Sequence, residues 1–150
     1  IRTDSMKTLH PGDAEGPLVG GCLSLVTSTL GTDYEIPTAG KVVFLEDIGE
    51  APYRLHRMLT QLRAAGKFAK ARAVVFGEFT DCEPHSEAYK DVSAVDAVKD
   101  ALAGLSLPVI LGFPGGHGAE QCTFPIGMPV QVSAPSRGRP QVLFTLPGVR

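Results

Sequence analysis

The sequence predicts a single α/β domain with a mixed sheet, on three observations. The chain has 150 residues, of which 43% are hydrophobic and 20% charged, the size and composition of one globular domain. Short β-branched apolar runs alternate with stretches of helical periodicity, which is typical of strands separated by helices. The last part of the chain reads as two strands joined by a turn-rich segment, so we expect a β-rich C-terminal tail.

The first half of the chain is predicted to contain two helices and one strand. Apolar residues dominate 17–30, where Pro17 suits a first helical turn and Gly31 a left-handed stop, so this segment is predicted as a helix. The β-branched run 41–46 is long enough for a buried strand and too short for a helix. A second helix is predicted from apolar residues at i, i+3, i+4 and i+7, namely Leu55, Met58, Leu59 and Leu62.

The second half continues the alternation and then changes character. A third helix is predicted from the spacing of Val92, Val95, Val98 and Leu102. Strands are predicted at 73–76, 108–111, 129–133 and 141–146, the last two forming a hairpin. The predicted order is therefore α-β-α-β-α-β, followed by the β-rich tail.

Charge and cysteine content exclude several classes of protein. The formal net charge is -2 and the 14 lysines and arginines are scattered, so we expect no nucleic-acid partner and no membrane surface. Cys22, Cys82 and Cys122 are an odd number with no zinc or disulfide spacing, which favours a reducing compartment. Neither a signal pattern nor an apolar run of roughly 18 residues is present, so a soluble protein is expected.

The beginning of the chain suggests a piece of something longer. The first residue is Ile1, and the segment 1–9 (IRTDSMKTL) reads as the middle of a sequence. We therefore expect a truncated or cleaved product that lacks an upstream segment.

Glu46 is the first candidate for chemistry, because it lies where the strand 41–46 ends. Loops beyond the carboxyl ends of strands form the ligand crevice in α/β folds, which favours a functional acid here. Asp47 and Glu50 follow it closely. The alternative is a solvated loop whose acids cap the next helix, since a helix dipole favours negative charge at its N-terminus.

His117 is the second candidate. It lies in the segment GFPGGHG, residues 112–118, directly after the predicted strand 108–111. Glycine allows close backbone approach to a ligand, and histidine is the usual general base near neutral pH. The alternative is a tight turn that carries a surface histidine. The glycine pattern does not match a phosphate-binding loop.

Two further segments are weaker candidates. Gly20 and Gly21, at the expected opening of a helix, are predicted either to offer backbone N–H groups to an anion or to permit close packing of this helix against a neighbour. The loop 77–85 (GEFTDCEPH) holds Asp81, Cys82, Glu83 and His85. Adjacent loop positions point in different directions, so we expect a polar rim there, with no metal and no cofactor in the protein.

A nucleophile is missing from the predicted site. An acid and a histidine on separate strand-exit loops are two parts of a relay that activates a nucleophile. The chain contains no G-x-S-x-G elbow, and its cysteines lack an activating base close in sequence. The residues alone therefore indicate an incomplete site.

Four segments together resemble the C-terminal domain of the serine LD-carboxypeptidases. They are GPLVGGCLSLVTSTLGTDYE, KVVFLEDIGEAPYRLHRMLTQLRAAG, AVVFGEFTDCE and LPVILGFPGGHG, and they follow the family's order and approximate spacing. The resemblance implies a swivelling β/β/α domain and possible homodimers. It also implies a cytoplasmic peptidase that releases the terminal D-alanine from murein tetrapeptides during cell-wall recycling.

The resemblance places the catalytic residues. It implies that Glu46 and His117 are the triad acid and histidine, although Glu50 remains an alternative acid. The serine is expected on an upstream N-terminal domain that is absent from this chain, so the isolated chain is expected to be inactive.

The chain departs from the family pattern at its expected substrate contacts. The usual G-G-N-L reads Gly20-Gly21-Cys22-Leu23, which replaces a polar contact by a thiol. Glu50 and Arg54 are expected to line the pocket. The alternative is that Glu50 caps a helix and Arg54 is a cation on the surface of that helix. Two alternative functions stay open: a microcin-type hydrolase of acylated nucleotides, mildly disfavoured because the chain has no Trp, and a non-catalytic muropeptide-binding domain.

Overall fold

A computed structural model describes residues 1–84 and 90–145. Within these ranges, seven strands and three helices form the elements of the fold. The strands are β1 (Lys7–His10), β2 (Gly12–Cys22), β3 (Val42–Ile48), β4 (Ala73–Thr80), β5 (Val109–Leu111), β6 (Pro129–Ala134) and β7 (Gln141–Phe144). The helices are α1 (Leu23–Ser28), α2 (Pro52–Ala64) and α3 (Ala94–Ala101).

The strands lie in the order β1-β5-β4-β3-β2-β6-β7. The neighbours from β5 to β2 are parallel, whereas β1, β6 and β7 pair antiparallel with their neighbours. The long strand β2 belongs to two sheets: Leu18–Cys22 pairs with β3 and Gly12–Pro17 pairs with β6. We call β1, β5, β4, β3 and the end of β2 the main sheet, and the start of β2 with β6 and β7 the small sheet.

Two apolar cores define three layers. Alternate residues of a strand point to opposite faces. On β3, Val43 and Leu45 therefore pack with the helices, while Val42 and Phe44 pack on the other face with Val130 of the small sheet. The result is small sheet, main sheet and helices in succession, which confirms the predicted β/β/α architecture with a mixed sheet and a β-rich tail.

Most predicted elements are confirmed with shifted ends. Strands 41–46, 73–76 and 108–111 correspond to β3, β4 and β5, and the hairpin is β6 and β7. Helix α3 begins later than its apolar pattern predicts, because Ser93 forms a capping box with Asp96. Val92 precedes the helix and is 42% exposed, and Val95 is 39% exposed. Residue 146 lies outside the described residues.

The predicted helix at 17–30 is wrong over its first half. Residues through Cys22 are strand β2, and only Leu23–Ser28 is helical. Gly20 adopts a φ of +128°, and a Cβ on it would overlap with the backbone carbonyl of Phe44. Because this segment pairs with β3 and β6, its apolar residues form a strand where the local pattern predicts a helix. Strand β1 was not predicted, because its four residues carry little apolar pattern.

Among the helices in the described part of the chain, none is long and apolar enough to cross a membrane.

Candidate active site

Glu46 lies near the end of β3, on the face of the main sheet that also carries Phe44. Its side chain is only 6% exposed. A buried carboxylate is costly unless it is hydrogen-bonded. Its partner is His117, whose Nδ1 lies 2.8 Å from Oε2 of Glu46 across 71 positions of sequence.

The loop after β5 carries His117 across the end of β4 to reach Glu46. The backbone N–H of Phe113 donates to the carbonyl of Phe76 at 2.9 Å, which continues the sheet pairing past β5. The backbone N–H of Cys122 closes the loop by donating to the carbonyl of Pro114 at 2.9 Å. The loop is thus tied down on both sides of His117.

Two glycines make the contact between Glu46 and His117 possible. Gly116 has a φ of +109°, and a Cβ there would lie 2.5 Å from Oε2 of Glu46. A Cβ on Gly77 would lie 2.9 Å from Cβ of Glu46 and would overlap with the carbonyl of Gly115. Because any larger residue would push the loop away, the glycine density around His117 has a packing reason.

An aromatic cluster supports the loop from below. The rings of Phe44, Phe113 and Phe124 pack edge to face, with centroids 5.8 Å, 5.0 Å and 5.1 Å apart. Phe124 also packs against Gly115, where a Cβ would lie 2.6 Å from its ring. Edge-to-face packing of this kind adds to the burial of apolar surface and fixes ring positions. The cluster therefore holds the loop in one place.

The hydrogen bond gives the imidazole a defined orientation. An ionised carboxylate only accepts hydrogen bonds, so Nδ1 of His117 donates to Glu46 when Glu46 is charged. Nε2 of the neutral ring is then an acceptor. The side chain of His117 is 49% exposed, in contrast to the buried Glu46. The buried acid holds one ring nitrogen, and no described residue bonds the other nitrogen, which can accept a proton from a partner outside the main sheet.

Asp47 has a structural role beside the site. It is 2% exposed, and its Oδ2 accepts from the backbone N–H of Ser24 at 2.8 Å. Its Oδ1 accepts from the backbone N–H of Ile48 at 2.9 Å. Asp47 therefore accepts a hydrogen bond from a backbone N–H in the first turn of α1, although it lies on a neighbouring strand. No local sequence signal indicates this cap.

The expected anion site at Gly20 and Gly21 needs correction. Both residues lie within β2, paired with Phe44 and Leu45 of β3, and do not open a helix. The N–H of Ser24, in the first turn of α1, is already bonded to Asp47. The alternative, close packing of this helix against a neighbour, rests on the same wrong helix; the close contact of Gly20 is with the backbone of Phe44 in β3.

Cys22 lies beside the candidate acid. Its Cα is paired with that of Glu46 in the parallel register of β2 and β3. The thiol is 3.1 Å from Oγ of Ser24 and 3.6 Å from Oδ1 of Asp47, and the residue is partly exposed. A polar, partly accessible thiol therefore lies at the same strand edge as Glu46.

Glu50 and Arg54 form an ion pair at the start of α2. The distance between Nη1 of Arg54 and Oε2 of Glu50 is 3.3 Å, and Nε of Arg54 donates to the hydroxyl of Tyr53 at 3.0 Å. Within the described residues, neither side chain hydrogen-bonds to Glu46 or His117. The acid that contacts His117 is thus Glu46.

The loop after β4 holds no metal-like arrangement in the described part of the chain, where no group of three or more His, Cys, Asp or Glu side chains is placed to hold an ion. Cys82 is buried, and its thiol points to the carbonyls of Thr80 and Asp47, at 3.4 Å and 3.7 Å. Burial raises the pKa of the Cys82 thiol. His85 lies outside the described residues.

Comparisons with known proteins extend this picture. Residues 15–132 match the model of the LD-carboxypeptidase C-terminal domain family. The chain is 44% identical over 119 residues to a probable murein peptide carboxypeptidase of Bacillus subtilis, covering 79% of this chain and 37% of that protein. It is also 27% identical over 125 residues to the microcin C7 self-immunity protein of Escherichia coli, covering 81% of this chain and 35% of that protein.

A solved structure has the same fold. The crystal structure of a muramoyltetrapeptide carboxypeptidase from Oxalobacter formigenes superposes with a TM-score of 0.80 at 30% identity. The match covers 94% of this chain and 50% of that one. The chain therefore spans half or less of the length of these relatives.

Proposed function

Because this chain belongs to the LD-carboxypeptidase C-terminal domain family, we propose that it supplies the acid and the base of a serine peptidase, Glu46 and His117. The substrate is a murein tetrapeptide, and the reaction hydrolyses the L,D-peptide bond that holds its terminal D-alanine. The observation that supports this proposal is the 2.8 Å contact between Nδ1 of the half-exposed His117 and the buried carboxylate of Glu46.

The nucleophilic serine is contributed by an upstream N-terminal domain, and its hydroxyl faces Nε2 of His117. His117 takes the serine proton as the oxygen attacks the scissile carbonyl, and then gives this proton to the departing amine of D-alanine. A water molecule hydrolyses the acyl-enzyme with His117 again as the base. Glu46 orients the imidazole and stabilises its positive charge.

The substrate lies against the edge formed by β2, β3 and the start of α2. Cys22 is one contact, because the residue is partly exposed and pairs with Glu46 in the register of β2 and β3. Gly20 and Gly21 keep this strand end free of side chains. Glu50 and Arg54 line the adjoining wall, and the exposed guanidinium of Arg54 suits a carboxylate of the substrate. The protein acts in the cytoplasm, and the family resemblance is consistent with a homodimer.

The test uses the full-length protein and measures D-alanine release from a murein tetrapeptide. His117→Ala and Glu46→Gln are expected to lower kcat by at least a factor of about 1000, since removing one member of a triad has effects of this size or larger. His56→Ala is the matched control, because His56 bonds Asp100 between α2 and α3 instead.

Four outcomes contradict the proposal. Normal turnover in His117→Ala removes the base. Hydrolysis of an acylated sulfamoyl nucleotide without tetrapeptide cleavage favours the microcin-type activity. Binding of muropeptides without turnover by the wild type favours a binding domain. Activity of the isolated 150-residue chain would contradict the upstream position of the serine.

A further inference from the structure

A β-bulge in β4 brings a second carboxylate to the candidate site. Leu45 of β3 pairs with Phe76 of β4, and Asp47 pairs with Phe79, so Gly77 and Glu78 together oppose Glu46. Phe76 and Phe79 both pack toward the helices. The two residues of the bulge therefore lie on the Glu46 face, and bulges commonly re-aim a side chain in this way next to functional sites.

Glu78 reaches the turn that carries His117. A Cβ on Gly118 would overlap with Oε2 of Glu78 and would lie 3.1 Å from its Cγ. The backbone N–H of Glu78 also points to the carbonyl of Gly115, at 3.4 Å. Glu46 contacts Gly116 on one side of His117, and Glu78 contacts Gly118 on the other. The two acids thus flank the candidate base.

The two acids differ in what they bind. Glu46 is buried and bonded to His117. Glu78 is partly exposed, and no residue in the described ranges donates a hydrogen bond or forms an ion pair with its carboxylate. Two neighbouring carboxylates are occupied, Glu50 by Arg54 and Asp47 by the first turn of α1. Glu78 contacts the turn itself at Gly118, and its carboxylate is free for a cation from outside the domain.

We propose that Glu78 is a specificity-determining residue that binds an ammonium group of the peptide substrate beside His117. An ammonium group donates charge-assisted hydrogen bonds to a carboxylate, whereas an acetylated amine cannot carry the charge. In this proposal the ammonium group is the side-chain amine of a diamino residue next to the scissile bond. This inference rests on the proposed function, because it concerns the substrate of that same site.

The experiment compares two synthetic peptides with the full-length protein. One is L-alanyl-γ-D-glutamyl-L-lysyl-D-alanine, and the other is the same peptide with the lysine amine acetylated. We expect the wild type to prefer the free amine roughly tenfold or more in kcat/KM, as one charge-assisted contact allows. Glu78→Gln is expected to bring this ratio close to one and to leave cleavage of the acetylated peptide within about threefold of wild type.

Glu120→Gln is the matched control, since it removes an exposed carboxylate two residues beyond Gly118 and should preserve the preference. Equal loss on both peptides in Glu78→Gln would overturn the inference and indicate a contact with the loop or with another domain. A wild type that does not discriminate would overturn it as well.

Failure of the proposed function has a different signature, namely no D-alanine from either peptide with the wild type. Calorimetric binding of the two peptides to wild type and Glu78→Gln then still tests the ammonium contact. Equal affinities for the two peptides would reject it.

Discussion

Replacing Gly116 by alanine is expected to separate Glu46 from His117. The new Cβ would lie 2.5 Å, 2.7 Å and 2.8 Å from Oε2, Cγ and Cδ of Glu46, all well inside van der Waals contact. Glu46 is buried and cannot move toward solvent without losing its packing, so the loop must shift. The φ of +109° at this position adds strain for a residue with a Cβ, of about 1–2 kcal/mol.

The expected loss of activity follows from the hydrogen bond. A bond between imidazole and a carboxylate is worth about 1.5–3 kcal/mol, and each 1.4 kcal/mol is about tenfold in rate. Breaking it should therefore lower kcat by a factor of about 10 to 100, and disorientation of the ring adds to this. The assay is D-alanine release by the full-length protein, together with urea unfolding.

Gly127→Ala is the control that separates backbone strain at a positive φ from steric overlap of the new Cβ. Gly127 also has a positive φ, +85°, but a Cβ there meets no atom within 4 Å. We expect this control to lose stability by about 1 kcal/mol and to keep its kcat. Unchanged turnover in Gly116→Ala would show that the contact between Glu46 and His117 is not needed for the reaction.

Three further predictions concern the supports of the site. Gly20→Ala should destabilise the protein by more than about 2 kcal/mol in urea unfolding, because its Cβ would overlap with the carbonyl of Phe44, while Gly21→Ala meets no atom within 4 Å and should cost clearly less. Asp47→Ala should cost about 1–2 kcal/mol in the same assay, since it leaves two partly buried N–H groups without their carboxylate partner. The Cys82 thiol should resist alkylation at pH 8 in the native protein and react after unfolding in urea, because burial both shields it and raises its pKa; rapid native labelling, read by mass spectrometry, would contradict its buried position.

The sequence predicts the fold best where a hydrophobic pattern depends on a single strand or helix. The spacing of Leu55, Met58, Leu59 and Leu62 identifies a helix face that is buried in the structure. Glu46 and His117 are predicted as candidates because functional side chains collect at the carboxyl ends of parallel strands, a rule that needs only the order of the elements. The structure brings the two side chains into contact.

The sequence was misleading where distant segments decide the conformation. The apolar residues before Leu23 suit a helix, but the antiparallel partner β6, more than a hundred residues away, draws Gly12–Pro17 into a sheet. The capping role of Asp47 is equally invisible, because its helix lies more than twenty residues earlier in the chain. Local periodicity carries no information about such pairings, which is why the order of the elements was predicted better than their extent.

The glycines of the site have meaning only in relation to Glu46. Gly77 lies beside it on β4, and Gly116 lies over its carboxylate, although 31 and 70 positions of sequence separate them from Glu46. Each glycine is unremarkable within its own segment, and either one replaced by a larger residue would displace the same carboxylate. The position of the candidate acid therefore depends on the ends of three strands, β3, β4 and β5. Two of these ends contribute residues that no motif around Glu46 contains. Substitutions at these glycines should affect turnover through His117 orientation, before they affect the fold of the main sheet.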